Sequence, residues 1–171
     1  AGMITNIELA SIAPDRLTAL VRPCLPYLDL VVVNDHEIGG IVGIETVKNH
    51  KTDVDACIDA AKAVVALGTA QHVVVHFPRG AVAASRDGGV VVKPSVDVPP
   101  AEVKGANGAG DAFAAGFLYG FHEGWSVERS LALAHATAAA SLREISTTVS
   151  IEPWQACLAL AERWGWREST D

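Results

Sequence analysis

The residues with the clearest chemical potential lie in one run, Gly105-Ala106-Asn107-Gly108-Ala109-Gly110-Asp111-Ala112-Phe113. Three glycines precede an apolar-periodic segment, and an acid follows the last of them. N–H groups at a helix start have no intrahelical acceptor and lie at the positive end of the helix dipole. Glycine lets a ligand approach that main chain closely. The combination suits an anion hole for a phosphoryl group at Gly108, Ala109 and Gly110, with Asp111 as proton acceptor beside it. It equally suits a plain turn whose acid adds about 1 kcal/mol to the helix. The run alone does not choose between the two. No Gly-Lys-Ser/Thr closes it, so it is not a P-loop, and proline-rich chain precedes it, unlike a dinucleotide fingerprint.

A second polar group, Asn34-Asp35-His36-Glu37, follows abruptly on the apolar run Leu28–Val33. In open α/β sheets ligands bind just past the carboxyl ends of strands. The six histidines are scattered without an H-E-x-x-H or a tight His/Cys/Asp cluster, so a zinc site is not expected. His72 and His76 share a strand face but lie ~13 Å apart at ~3.3 Å per residue. His36 is expected to face solvent or to stand behind Glu37. Trp125, Trp154, Trp164 and Trp166 lack interleaved basic residues and are expected to pack helices rather than stack bases.

The elements that must position these groups alternate between strand and helix. Met3–Leu9 and Leu28–Val33 read as strands, the second apolar enough to be a parallel strand covered on both faces. A helix is expected from Pro14 through Val21. Another spans Asp53–Leu67, where Val54, Cys57, Ile58, Ala61, Val64 and Val65 follow helical spacing and Gly68 stands at the C-cap position. His72–Phe77 is a further buried strand, and Asp87-Gly88-Gly89 links Ala81–Ser85 to Val90–Lys93 as a hairpin. Pro94, Pro99 and Pro100 then favour extended chain. In the helical last third, Ala112, Gly116 and Gly120 form a small-residue face beside Phe113, Phe117 and Phe121. Ser126 can cap the next helix, alanine-rich from Ala132 to Ala140, and Pro153 opens a last one reaching Trp164. The order implies an α/β layered fold with a mostly parallel sheet, one β-hairpin and helices on both faces.

Composition sets bounds on function. Half of the 171 residues are hydrophobic and 19% are charged, with a net charge of −7, which disfavours nucleic acid as a partner. No stretch approaches 18 uninterrupted apolar residues, so no membrane partner is expected. Cys24, Cys57 and Cys157 are odd in number and widely spaced, which fits reduced thiols in a cytoplasmic protein.

The run G-A-G-D-A-F-x-A-G-F resembles the second signature of the ribokinase-like sugar kinases, the PfkB family. Asn34-x-x-Glu37 resembles that family's N-x-x-E motif, and His76-Phe77-Pro78-Arg79-Gly80-Ala81 its strand-end turn lining the nucleotide. Leu133-Ala134-His135-Ala136 resembles the helix bordering the adenine. The resemblance runs over essentially the whole chain. It implies a ribokinase-like Rossmann-type fold, and an ATP-dependent phosphotransferase acting on a hydroxyl of a sugar or, next, a nucleoside. Asp111 would be the catalytic base and the backbone of Gly108, Ala109, Gly110 and Asp111 the anion hole. Asn34, Glu37, His76, Phe77, Gly80, Asn107, His135 and Ala138 would contact the nucleotide, and Glu37 with Asn34 would hold Mg²⁺, partly through water. For His135 a core position is the alternative.

Two departures stand out. Gly105-Ala106 replaces an Asp-Thr pair that in many members helps form a monovalent-cation site, so no potassium dependence is expected. Ser146-Thr147-Thr148 replaces a glycine-containing turn. A nucleotide-binding protein without transfer activity is therefore the rival expectation. The resemblance further implies that residues 1–171 are the C-terminal, nucleotide-binding part of one kinase domain. The N-terminal strands, a β lid that often mediates homodimer formation, and most acceptor-binding side chains are not recognisable in it.

Overall fold

Leu30-Val31-Val32-Val33 is β-rich and uncharged, and it forms the buried body of strand β2 (Leu30–Asn34) in the computed structural model, which describes residues 2–9 and 13–170. The chain divides into two compact units, one of Ala1–Phe77 with Ala81–Val92, the other of Pro78–Gly80 with Lys93–Thr170.

In the first unit β1 (Asn6–Ile7) leads through α1 (Pro14–Val21) to β2 and then to α2 (Asp35–Val42). A small hairpin of β3 (Val47–Lys48) and β4 (Lys51–Thr52) precedes α3 (Val54–Leu67), which returns the chain to β5 (His72–Phe77). β1 and β5 flank β2, both parallel to it, with Val31 opposite Val73 and Asn34 opposite His76. The expected strand Met3–Leu9 is shortened to its two middle residues.

Pro78 and Arg79 alone separate β5 from β6 (Gly80–Ser85), a link short enough only for a hairpin. β7 (Val90–Pro94) follows, completing the sheet order β1-β2-β5-β6-β7. Alternate residues Val31, Val33, Val73, Val75 and Phe77 join α1, α2 and α3 in one hydrophobic cluster. Leu30, Val32 and Val74, on the opposite face, are equally buried, as a doubly covered parallel strand requires.

Gly68 is the C-cap of α3, as its position implies, in an extended conformation (φ −129°, ψ −159°). A β-carbon there would come within 2.6 Å of the Leu25 carbonyl oxygen, so close backbone packing demands the glycine. Cys57 lies in the core as expected, and burial pushes its thiol up to about 12.

The second unit is helical: α4 (Ala109–His122), α5 (Val127–Ser141) and α6 (Trp154–Trp164). Gly116 and Gly120 explain how closely α4 meets α5. Their β-carbons would reach 2.8 Å from the Cα of Ala134 and 2.9 Å from that of Ser130. The Thr137 hydroxyl donates to the Ala112 carbonyl at 2.7 Å, fixing α4 one residue beyond Asp111. The tryptophans pack as expected: Trp125 and Trp154 meet edge to face at 5.0 Å, and the Arg129 guanidinium lies 3.7 Å over Trp125.

Candidate active site

The two motifs begin two helices in different ways. Asn34 ends β2 and caps α2: its Oδ1 accepts the Glu37 N–H at 2.9 Å, and Glu37 Oε2 accepts the Asn34 N–H at 2.9 Å. This reciprocal capping box commits one oxygen of each side chain to the turn. Glu37 is only 5% exposed, and burial raises its carboxyl above the ordinary range while the hydrogen bonds from Asn34 oppose the shift. A buried carboxylate of this kind gains from a nearby cation. Among the described residues no cluster of three or more His, Cys, Asp or Glu could cage a metal. Mg²⁺ is usually held by one or two carboxylates plus water and phosphate, so Glu37 with Asn34 fits such an ion without a cage.

Asp35, which the sequence did not single out, organises the same corner. Its Oδ2 accepts the Thr52 hydroxyl at 2.7 Å, and its carbonyl accepts the buried Thr46 hydroxyl. The residue thereby ties the β3–β4 hairpin to the start of α2. Its signal was hidden because an acid at a helix start is ordinary. His36 is exposed, and His76 stands opposite Asn34 on β5. Phe77 points the other way: on the same face as Val73 and Val75, its ring belongs to the core, leaving only its backbone to the strand-end turn. Gly80 opens β6, and the preceding Pro78 and Arg79 carbonyls accept from the Ser95 hydroxyl and N–H at 3.1 and 2.9 Å.

At the second motif, Asn107 is exposed in the turn and Gly108 is the N-cap of α4, with φ 73° and ψ 6°. No side chain caps this helix. The Ala109 N–H bonds the Ala106 carbonyl at 3.2 Å and the Ala112 N–H bonds Gly108 at 2.8 Å. Between them, the N–H groups of Gly110 and Asp111 have no acceptor among the described residues. Asp111 is exposed in the same first turn. The geometry offers two uncommitted donors and a carboxylate at the positive end of a 14-residue helix. Such a constellation can hold an anion and accept a proton next to it.

Within the first unit the structure brings Asn34, Glu37 and His76 together, and within the second it gathers Asn107, Gly108, Ala109, Gly110 and Asp111. His135 is apart from that group. It is 4% exposed, with its ring 5.0 Å from Phe113 edge to face and 6.5 Å from Trp166. Burial favours the core alternative over an adenine contact. Ala138, one turn on, is partly exposed on α5.

The model of the pfkB family carbohydrate kinases matches residues 2–154. The chain belongs to this family. An adenosine kinase of Schizosaccharomyces pombe is 30% identical over 132 residues, covering 74% of this chain and 37% of that protein. A cytidine kinase of Thermococcus kodakarensis is 30% identical over 114 residues, covering 67% of this chain and 37% of that protein. An Arabidopsis thaliana ribokinase structure, complexed with ribose and ATP, superposes with a TM-score of 0.72 at 20% identity, over 94% of this chain and 48% of that one. The pfkB chain described here thus spans less than half the length of these relatives. The fold is ribokinase-like, and no described helix is long and apolar enough to cross a membrane.

Proposed function

We propose that this chain carries the phosphate-binding half of an ATP-dependent kinase that phosphorylates a hydroxyl of a sugar or nucleoside. The observation that carries the reading is the pair of uncommitted N–H groups at Gly110 and Asp111 beside the exposed Asp111 carboxylate. Phosphoryl transfer asks little covalent work of a protein. It needs positioning, stabilisation of charge on the transferring group, and a proton acceptor. The two N–H groups donate to oxygens of the γ-phosphoryl group. Asp111 holds the acceptor hydroxyl in line and takes its proton as the new P–O bond forms and ADP leaves. Glu37 and Asn34 each use an oxygen in the capping box, which leaves the second carboxylate oxygen of Glu37 and the second lone pair of Asn34 Oδ1 as the groups that would hold a cation, directly or through water. Mg²⁺ bound there would supply charge neutralisation for the phosphates. The family resemblance makes His76 of the first unit and Asn107 of the second candidate nucleotide contacts, each in its own unit.

A nucleoside acceptor has a specific support: both relatives that are 30% identical are nucleoside kinases by name. A coupled ADP-release assay on the full chain, with MgATP and a panel of sugars and nucleosides, tests the proposal. Acceptor-dependent ADP release is expected. ATP binding with no acceptor-dependent ADP from any member of the panel would favour a nucleotide-binding protein without transfer activity.

A further inference from the structure

We infer that Thr147 is a positioning residue for the glycine turn, holding the first turn of α4 in the shape that presents the Gly110 and Asp111 N–H groups to phosphate. The inference rests on the phosphate-binding reading of that turn. A β-carbon built on Gly108 would lie 2.7 Å from Cβ and 2.8 Å from Cγ2 of Thr147. Thr147 therefore fills the space that the missing side chain leaves. The helices α2, α3 and α5 are held at their starts by the side chains of Asn34, Asp53 and Ser126. A glycine N-cap in the left-handed region has no side chain to do this, and Thr147 supplies the restraint from outside.

The segment that carries Thr147 is fastened along its length. The N–H groups of Lys104 and Gly105 donate to the Leu142 carbonyl at 2.8 and 3.4 Å. A β-carbon on Gly105 would approach the Cα of Ile145 to 3.3 Å. Arg143 donates to the Ser150 carbonyl at 2.6 Å and pairs with Glu152 at 2.7 Å, and the Ser150 hydroxyl donates to the Ala140 carbonyl at 2.7 Å. Residues 142–150 thus form a strap tied to both the glycine turn and the end of α5. Glycine on the turn accommodates bulk on the strap at two places, Gly105 beside Ile145 and Gly108 beside Thr147.

The Thr147 hydroxyl makes no hydrogen bond among the described residues. The contact with Gly108 is van der Waals packing by Cβ and the methyl group, and valine reproduces it. When the binding-competent shape is populated only a fraction of the time, apparent affinity falls by that fraction. A turn released for about nine-tenths of the time binds nucleotide about tenfold more weakly.

The test is calorimetric titration of the full chain with the non-hydrolysable analogue AMP-PNP and Mg²⁺, for wild type, Thr147→Val, Thr147→Ser and Thr147→Gly, alongside thermal melts. The expected Kd is within about twofold of wild type for valine, raised about threefold for serine and about tenfold for glycine. Because Thr147 is exposed, the melts are expected to move little, and serine keeps the test open should glycine unfold. Valine as weak as glycine, or every variant binding as wild type does, overturns the inference. A wild-type chain that binds no AMP-PNP overturns the phosphate reading and the inference with it.

Discussion

The starts of α2 and α4 differ in what their backbone donors are doing. At α2, Asn34 and Glu37 satisfy each other, Asp35 is bonded to Thr52, and the corner is buried. At α4 the cap is a left-handed glycine, two N–H groups are uncommitted, and the acid is exposed. The first arrangement is what a helix needs for stability. The second forgoes a side-chain cap, a loss of only about a few tenths of a kcal/mol when the cap is glycine, and leaves donors open to a ligand. The difference teaches that helix capping accounts for N-x-x-E, whereas the glycine turn leaves its helix without a side-chain cap.

Five substitutions in the full chain can break or sharpen this contrast. The largest effect is expected from Asp111→Asn, with turnover down by about a thousandfold or more while nucleotide Kd changes less than threefold. Steady-state kinetics with calorimetry check this, and near-normal turnover would remove Asp111 from the chemistry. Gly108→Val must adopt φ near 73° and displace Thr147, so nucleotide affinity is expected to fall more than tenfold. An unaltered Kd would mean that the turn's shape is irrelevant to binding.

Glu37→Gln comes next. It keeps an acceptor for the Asn34 N–H but loses the charge, so the Mg²⁺ concentration for half-maximal activity should rise several-fold. The raised carboxyl of Glu37 means that its stabilising contribution is present at low pH and lost as pH rises through the folded value. Glu37→Gln is therefore predicted to flatten the stability profile just above the ordinary carboxylate range, and to melt no lower than wild type at neutral pH. A lower neutral melt would show that the ionised carboxylate is structurally required. The smallest pair is Asn34→Ala against Asn107→Ala: about 1 kcal/mol lost by denaturant titration for the first, and within about 0.5 kcal/mol of wild type for the second. Equal losses would erase the distinction between a capped and an open start.

Much of this was legible in sequence because the signals are local. β-Branched runs gave β2 and β5, helical spacing gave α3, and Gly116 with Gly120 announced a close helix pair whose partner proved to be α5. Sequence is least informative where tertiary packing decides. Gly68 caps α3, and the Leu25 carbonyl, far from it in sequence, is what leaves no room for a side chain there. Phe77 falls in a segment that resembles a nucleotide-lining turn, and strand alternation sends its ring into the core. His135 looks polar on an alanine-rich helix, and only the packing of Phe113 and Trp166 reveals its burial. Thr147 was visible only as a departure from the family pattern, since no spacing rule connects it with Gly108.

The central claim is that the Gly110 and Asp111 N–H groups hold the phosphoryl end of the nucleotide. Backbone amide resonances followed during titration of the full chain with Mg²⁺ and AMP-PNP test it most directly. The account predicts that these two amides shift strongly and become protected from hydrogen exchange. Saturating nucleotide that leaves both amides unshifted and freely exchanging would contradict it.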